Sequence, residues 1–186
     1  RYSAEQKRFL FKEIIRMWQQ KKTLIANQAG LNEETGAILC SGGVTTIVPY
    51  KSDKRDEEAR LEISSDWMSF DPGNNLLIYE ENSSLKVADV DLRAQTISVQ
   101  LEQEEGEMNV ITAKGNVVVI QNQYEGQGNE AEYELDRDAI VLLGNPVLID
   151  KDKGKTEGDK LTFYISDAKI VVENKGRERS ITVIKS

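Results

Sequence analysis

The sequence predicts an all-β protein, a long antiparallel sheet of about a dozen strands built from hairpin repeats. Three observations predict it. Apolar and polar residues alternate with period two over most of the 186 residues, the pattern of strands with one buried face. Gly, Asn and Asp punctuate the alternating runs, while Pro49, Pro72 and Pro146 fall at turns or strand edges. The third is repetition: "MNVITAKGNVVVI" (Met108–Ile120) and "AEYELDRDAIVLLGNPVLI" (Ala131–Ile149) carry the same alternation up to and beyond a Gly-Asn pair, about 30 residues apart. Ala26–Val48 and Gly158–Gly176 fit the same frame, the latter placing Phe163 on Tyr133 and Ile170 on Ile140.

Taken in order, the N-terminal segment supports two patterns. Ser3 and Gln6 form a capping box, with Leu10 or Phe11, Ile14 and Trp18 on one helical face. Phe9, Phe11, Ile15 and Met17 equally share one strand face, and "QQKK" turns that strand back into "TLIANQAGL". The strand is preferred, because it completes a hairpin like those that follow. Residues 1–22 therefore remain strand or, as the alternative, a short helix. Strands are then predicted over Thr23–Leu31, Ala37–Val48, Ala59–Phe70, Leu76–Glu81, Ser84–Asp89, Asp91–Leu101, Met108–Gln121, Glu130–Asp136, Ala139–Asp150, Lys160–Ser166, Lys169–Asn174 and Ser180–Ile184. "YKSDKRDEEA" and "EQEEGE" are the longest interruptions and read as solvated loops. No linker divides the chain, so 1–186 is expected to be one domain.

Register predicts what the strands enclose. A two-residue turn at Arg137–Asp138 pairs Leu135 with Ile140 and Tyr133 with Leu142, placing four apolar side chains on one face. Leu161, Phe163, Ile165, Ile170 and Val172 form a second such set, and Ala29, Leu31, Ile38 and Cys40 a third. Phe70 and Trp67 add aromatic wall. With strands about 4.8 Å apart, so wide a sheet twists into a sandwich or a rolled groove. The apolar lining is then a closed core or an amphiphile-sized trough.

Composition narrows the chemistry. The chain has no histidine, which removes His-dependent triads and His-metal sites. The acids fall at turns and on outward faces, where solvation explains them better than a glycosidase-like pair. No enzyme, cofactor or metal is expected. "GQGNEA" (Gly126–Ala131) matches a dinucleotide fingerprint only in letters: the following "NEAEYELD" alternates with period two and starts no helix, so a hairpin connection is expected. Net charge is −8, with 32 acids against 24 bases. No basic stripe exists for nucleic acid. Lys151–Lys155 reads as an exposed turn. The lone Cys40 cannot form an internal disulfide and reads as a small buried residue. No run of 18 apolar residues is present.

"AEYELDRDAIVLLGNPVLI", followed by "KGKTEGDKLTFYISDAKIVVENKGRERSITVI", resembles the OstA-like lipopolysaccharide-transport family, of the LptA/LptC type. The Tyr-hairpin-Leu-x-Gly-Asn phrase, then Gly-Asp-Lys-hydrophobic-Thr-aromatic-Tyr and a closing Thr/Val strand, carries the resemblance. The segment "FKEIIRMWQQKKTLIANQAGLNEETGAILCSGGVTTI" is as similar to the membrane-anchored type as to the soluble bridge type. The resemblance implies a twisted β-jellyroll, open along one seam, in the periplasm, with an inner-membrane anchor ahead of this segment in the anchored type. It implies an apolar interior that takes lipid A acyl chains of lipopolysaccharide. The lipid-binding residues expected are Leu31, Ile38, Phe70, Tyr133, Leu135, Ile140, Leu142, Leu161, Phe163, Ile165, Ile170 and Val172. It also implies partners: other jellyrolls of a transport bridge, or further copies joined head to tail through the edge Ser180, Ile181, Thr182 and Val183. The alternative function is a passive structural or carbohydrate-binding β-repeat protein of the cell envelope.

Overall fold

The computed structural model describes residues 2–3, 8–19, 21–50, 59–102, 108–167, 169–174 and 181–184. It forms one continuous antiparallel sheet of fifteen strands. These are β1 (Tyr2–Ser3), β2 (Arg8–Gln19), β3 (Lys22–Asn32), β4 (Ile38–Tyr50), β5 (Ala59–Asp71), β6 (Leu76–Val87), β7 (Val90–Leu101), β8 (Met108–Gln121), β9 (Tyr124–Glu134), β10 (Ala139–Leu143), β11 (Val147–Asp150), β12 (Gly154–Glu157), β13 (Lys160–Tyr164), β14 (Lys169–Glu173) and β15 (Ile181–Ile184). Strands β1 to β10 pair in chain order and continue through β13, β14 and β15, while β11 pairs with β9 and β12. The fold is the open, all-β jellyroll expected. Over residues 8–19 the chain takes the strand and not the helix, because that strand pairs with Lys22–Asn32 across the turn.

A crease crosses the sheet. Pairing is interrupted at mid-length in every long strand from β2 to β8, for example between Ser41 and Val44, Glu80 and Ser83, and Lys114 and Val117. From β4 on, every second strand makes the crease with a positive-φ pair, Gly42–Gly43, Glu81–Asn82, Gly115–Asn116 and, between β10 and β11, Gly144–Asn145, while β2 has the single Glu13. This accounts for the repeated Gly-Asn. It marks not a hairpin turn but a two-residue bulge, where left-handed backbone bends the strand and deepens the local twist. A ladder of partners stands across from it, Asn27 donating its side-chain amide to the Gly42 carbonyl and Asn82 to Asp66 at 2.6 Å.

The crease divides the sheet into two legs that fold over a shared interior. Two element boundaries change because of it. Leu76–Val87 is one strand through Glu81–Asn82, not two. Conversely, Ala139–Asp150 separates at Gly144–Asn145 into β10 and β11, one in each leg. The stretch "GQGNEA" lies inside β9 and not in a hairpin connection. Its glycines make room for the opposite leg: a Cβ at Gly126 would lie 2.6 Å from Phe163 Cε2. Gly154–Glu157 forms the unexpected β12, closing a hairpin over the exposed Lys151–Lys153 turn.

The register at Arg137–Asp138 also differs from expectation. Tyr133 pairs with Ile140 and Ala131 with Leu142, so the loop spans residues 135–138. Asp138 decides this. Its φ is +48°, its backbone N–H donates to the Leu135 carbonyl at 3.1 Å, and its buried carboxylate accepts hydrogen bonds from the Tyr133 hydroxyl at 2.8 Å and from Ser166. A shift of two residues leaves every side chain on its original face.

Candidate functional site: an interior cleft open at one end

Pairing aligns the inward residues into rows that cross the whole upper leg. One row runs Leu31, Ile38, Phe70, Leu77, Val99, Ile111, Tyr133, Ile140, Phe163 and Ile170. The adjacent row includes Met68, Tyr79, Ile97, Leu142, Leu161 and Val172. Ten of the twelve residues expected to line the interior thus stand in two neighbouring rows. Leu135 and Ile165 lie just beyond, buried near the loops.

The rows are not uniform in what covers them. From Tyr133 onward the interior is closed: Tyr133, Leu135, Ile140, Leu142, Leu161, Phe163, Ile165, Ile170 and Val172 are all buried. Phe163 presses on Gly126 and Leu142 on Gly128 of the other leg. Tyr50 caps this end, donating its hydroxyl to the Leu135 carbonyl and meeting Tyr133 edge to face with centroids 6.0 Å apart. Burial, and then the hydrogen bond to Asp138, push the Tyr133 phenol well above its ordinary pKa.

Toward the first strands the legs part. A cleft of about 420 Å³ opens between Met17, Leu24, Val48 and Ile63 of the lower leg and Phe70, Leu77, Val99, Leu101 and Met108 of the upper. Lys22 and Glu102 also border it. Its walls are aliphatic, aromatic and thioether, with Met17 and Met108 adding flexible side chains that fit irregular apolar guests. Tyr79 and Thr46 contribute a polar bar from opposite legs, Tyr79 Oη donating to Thr46 Oγ1 at 2.9 Å. Burial pushes the Tyr79 pKa up to about 12. The same effect lifts the Cys40 thiol to about 11, so it is a packed apolar residue and not a nucleophile.

Of the expected lining residues, Phe70 is the one that reaches this cleft. Leu31 and Ile38 border, with Phe70, a second concavity of about 670 Å³ across β2 to β5. Most of its wall alternates outward, through Leu10, Leu39, Trp67 and Ser69. Trp67, expected as interior wall, therefore faces out: it neighbours the inward Met68 and pairs with the outward Ser41. The cleft residues Leu24, Leu77, Leu101 and Met108 were not singled out by sequence. Their signal was the alternation they share with Phe70. Of the expected edge, Ile181, Thr182 and Val183 lie in β15, the last strand, paired to β14. Ser180 lies outside the described residues. Among the described residues no cluster of metal ligands occurs, and no helix is long and apolar enough to cross a membrane.

The cleft is thus apolar and lies between the two legs of the creased sheet. The model of the LptA/(LptD N-terminal domain) LPS transport protein family matches residues 62–169, from β5 to the start of β14. This chain belongs to that family. The match reaches well upstream of the phrases that carried the OstA-like resemblance. Among curated relatives, the lipopolysaccharide export system protein LptA of Escherichia coli (strain K12) is 24% identical over 153 residues, covering 79% of this chain and 82% of that protein. The LptA of Shigella flexneri matches equally. Among solved structures, LptH, described as the LptA-homologous periplasmic component of the lipopolysaccharide transport device of Pseudomonas aeruginosa, superimposes with a TM-score of 0.51 at 18% identity. That superposition covers 72% of this chain and 99% of LptH.

Proposed function

We propose that this LptA-family jellyroll carries lipopolysaccharide in the periplasm, taking lipid A acyl chains into the cleft between its legs. The observation that carries the reading is the apolar cleft around Phe70, Leu77 and Met108, open in a sheet whose far end is closed. Each 100 Å² of apolar surface covered contributes roughly 2.5 kcal/mol, so an acyl chain is held by burial without a dedicated phosphate site. The guest enters at the first-strand end and rests against Phe70 and Leu77. The buried lining from Tyr133 to Val172 supports the cleft and takes acyl chains only where the legs separate. The chain works as one domain, passing its cargo to further jellyrolls through the sheet edges at β1–β2 and β15.

The test is dye displacement by lipid A. In Leu77→Asp a charge enters the apolar wall, and binding should weaken at least about tenfold, equivalent to about 1.4 kcal/mol. Leu142→Ala, at the closed end, should change it less than about twofold. Unchanged lipid A binding in a folded Leu77→Asp protein would place the guest elsewhere.

A further inference from the structure

Of the six exposed large apolar side chains among the described residues, four gather on one part of the outer surface, away from the cleft, while Leu143 stands on β10 and Phe11 on the inward face of β2. Leu10 is 38% exposed, Ile14 72%, Leu39 52% and Trp67 43%. Leu10 and Leu39 flank Gly30 in one row across β2, β3 and β4, and Trp67 stands diagonal to Leu39 on β5. A Cβ at Gly30 would meet nothing nearer than two backbone carbonyl oxygens, at 3.8 and 4.0 Å, so the floor between the leucines is open. The bulge at Glu13, φ +79°, leaves Ile14 on the surface.

Charge along β2 has the opposite sign to that of the chain: Arg8–Gln19 carries three Lys or Arg and one Glu, in a chain of net charge −8. Arg8, Lys12 and Arg16 are exposed along β2, flanking Leu10 and Ile14. The acids nearby are Glu13 on the bulge, Glu33 and Glu34 on the turn after Asn32, which pairs with Arg8, and Asp66, Asp71 and Glu80 around Trp67, farther from the cations. The outer face of β2 thus carries a local excess of positive charge beside these apolar side chains.

We propose that the outer face of β2 to β5, with Leu10, Ile14, Leu39 and Trp67 beside Arg8, Lys12 and Arg16, docks on an anionic lipid bilayer surface. The cations meet lipid phosphates while the isolated apolar side chains enter the headgroup region, as basic, apolar surface segments do. Each such cation near an anionic leaflet strengthens partitioning roughly fivefold, so three supply on the order of 100-fold. The remaining surface, acidic on balance, is repelled, which fixes orientation and keeps the interior cleft off the membrane. The docking is independent of whether the cleft holds lipid A.

The experiment is co-sedimentation of the whole chain with vesicles of phosphatidylethanolamine and phosphatidylglycerol, against vesicles of phosphatidylcholine. Binding to the anionic vesicles alone is expected, weakening as salt rises. Lys12→Glu with Arg16→Glu should reduce it at least tenfold, and Leu39→Ser severalfold, with the circular dichroism of the native sheet retained. In a Trp18→Phe background, Trp67 emission should shift to the blue on anionic vesicles. The cleft variant Leu77→Asp should bind vesicles as the parent does. Equal binding to neutral vesicles, no binding to either, or insensitivity to the charge reversals would overturn the proposal. Loss in Leu77→Asp but not in the surface variants would show instead that vesicles donate lipid to the cleft. Binding of a related jellyroll that depends on these residues, without vesicle binding, would make the face a protein interface and overturn it too.

Discussion

The two ends of the interior are built from the same rows of residues yet differ in what they can do. At the β9–β14 end, Phe163 and Leu142 reach the glycines of the opposite leg, and Tyr50, Tyr133 and Asp138 tie loop to strand. At the β2–β8 end, the facing side chains are Leu24, Val48, Leu77 and Met108, and the legs stand apart around a cleft. The difference lies in the partner leg and not in the apolar character of the lining. Identical alternation makes a core where glycine lets the legs touch, and an open cleft where it does not.

The largest expected effect tests this directly. Phe163→Ala should cost about 3–5 kcal/mol, because it empties a fully packed site between the legs. Phe70→Ala, partly buried at the wall of the cleft, should cost only about 1–2 kcal/mol by area. Urea denaturation compares them, and equal costs would erase the distinction between the ends.

Asp138→Ala should follow, at about 1–3 kcal/mol, by leaving the Tyr133 hydroxyl buried without its acceptor and a left-handed backbone without a residue suited to it. Lipid A binding at the other end should persist in the folded fraction. If it falls in parallel with stability, the ends are more tightly coupled than their packing implies.

The smallest effect sharpens the boundary between the two. Tyr79→Phe removes the bar to Thr46 at the inner wall of the cleft and should cost about 0.5–1.5 kcal/mol at neutral pH. Burial raises the Tyr79 pKa from 10.0 to about 12, so folding favours the protonated phenol. That contribution is intact below pH 10 and is lost as pH rises through about 12. Denaturation between neutral pH and pH 11 should show stability falling at the alkaline end. In Tyr79→Phe the fall should be shallower, with the remainder from the buried Cys40 thiol, whose pKa is raised to about 11, and from Tyr133. An identical pH profile in the variant would remove Tyr79 from the account.

Much of this was legible in the chain, for a local reason. The pleat sends successive side chains to opposite faces, so the inward set from Leu31 to Val172 follows from period two alone, and a two-residue error in the Tyr133–Ile140 register left that set intact. Trp67 was misjudged where the Ser64/Trp67 bulge interrupts the count. Repetition of Gly-Asn was visible as well, but its meaning was not. A positive-φ pair between two alternating runs reads the same whether it ends a strand or creases one, and only pairing with neighbours on both sides distinguishes Gly115–Asn116 inside β8 from Gly144–Asn145 between β10 and β11. The sequence by itself thus determined an all-β chain, its family and which residues face inward. Only the tertiary structure decided where that interior is closed and where it opens, because the gap between Leu77 and Leu24, or its absence between Phe163 and Gly126, is a distance between strands remote in sequence. No local pattern encodes such a distance; it is set by the crease angle and by the side chains that meet across it.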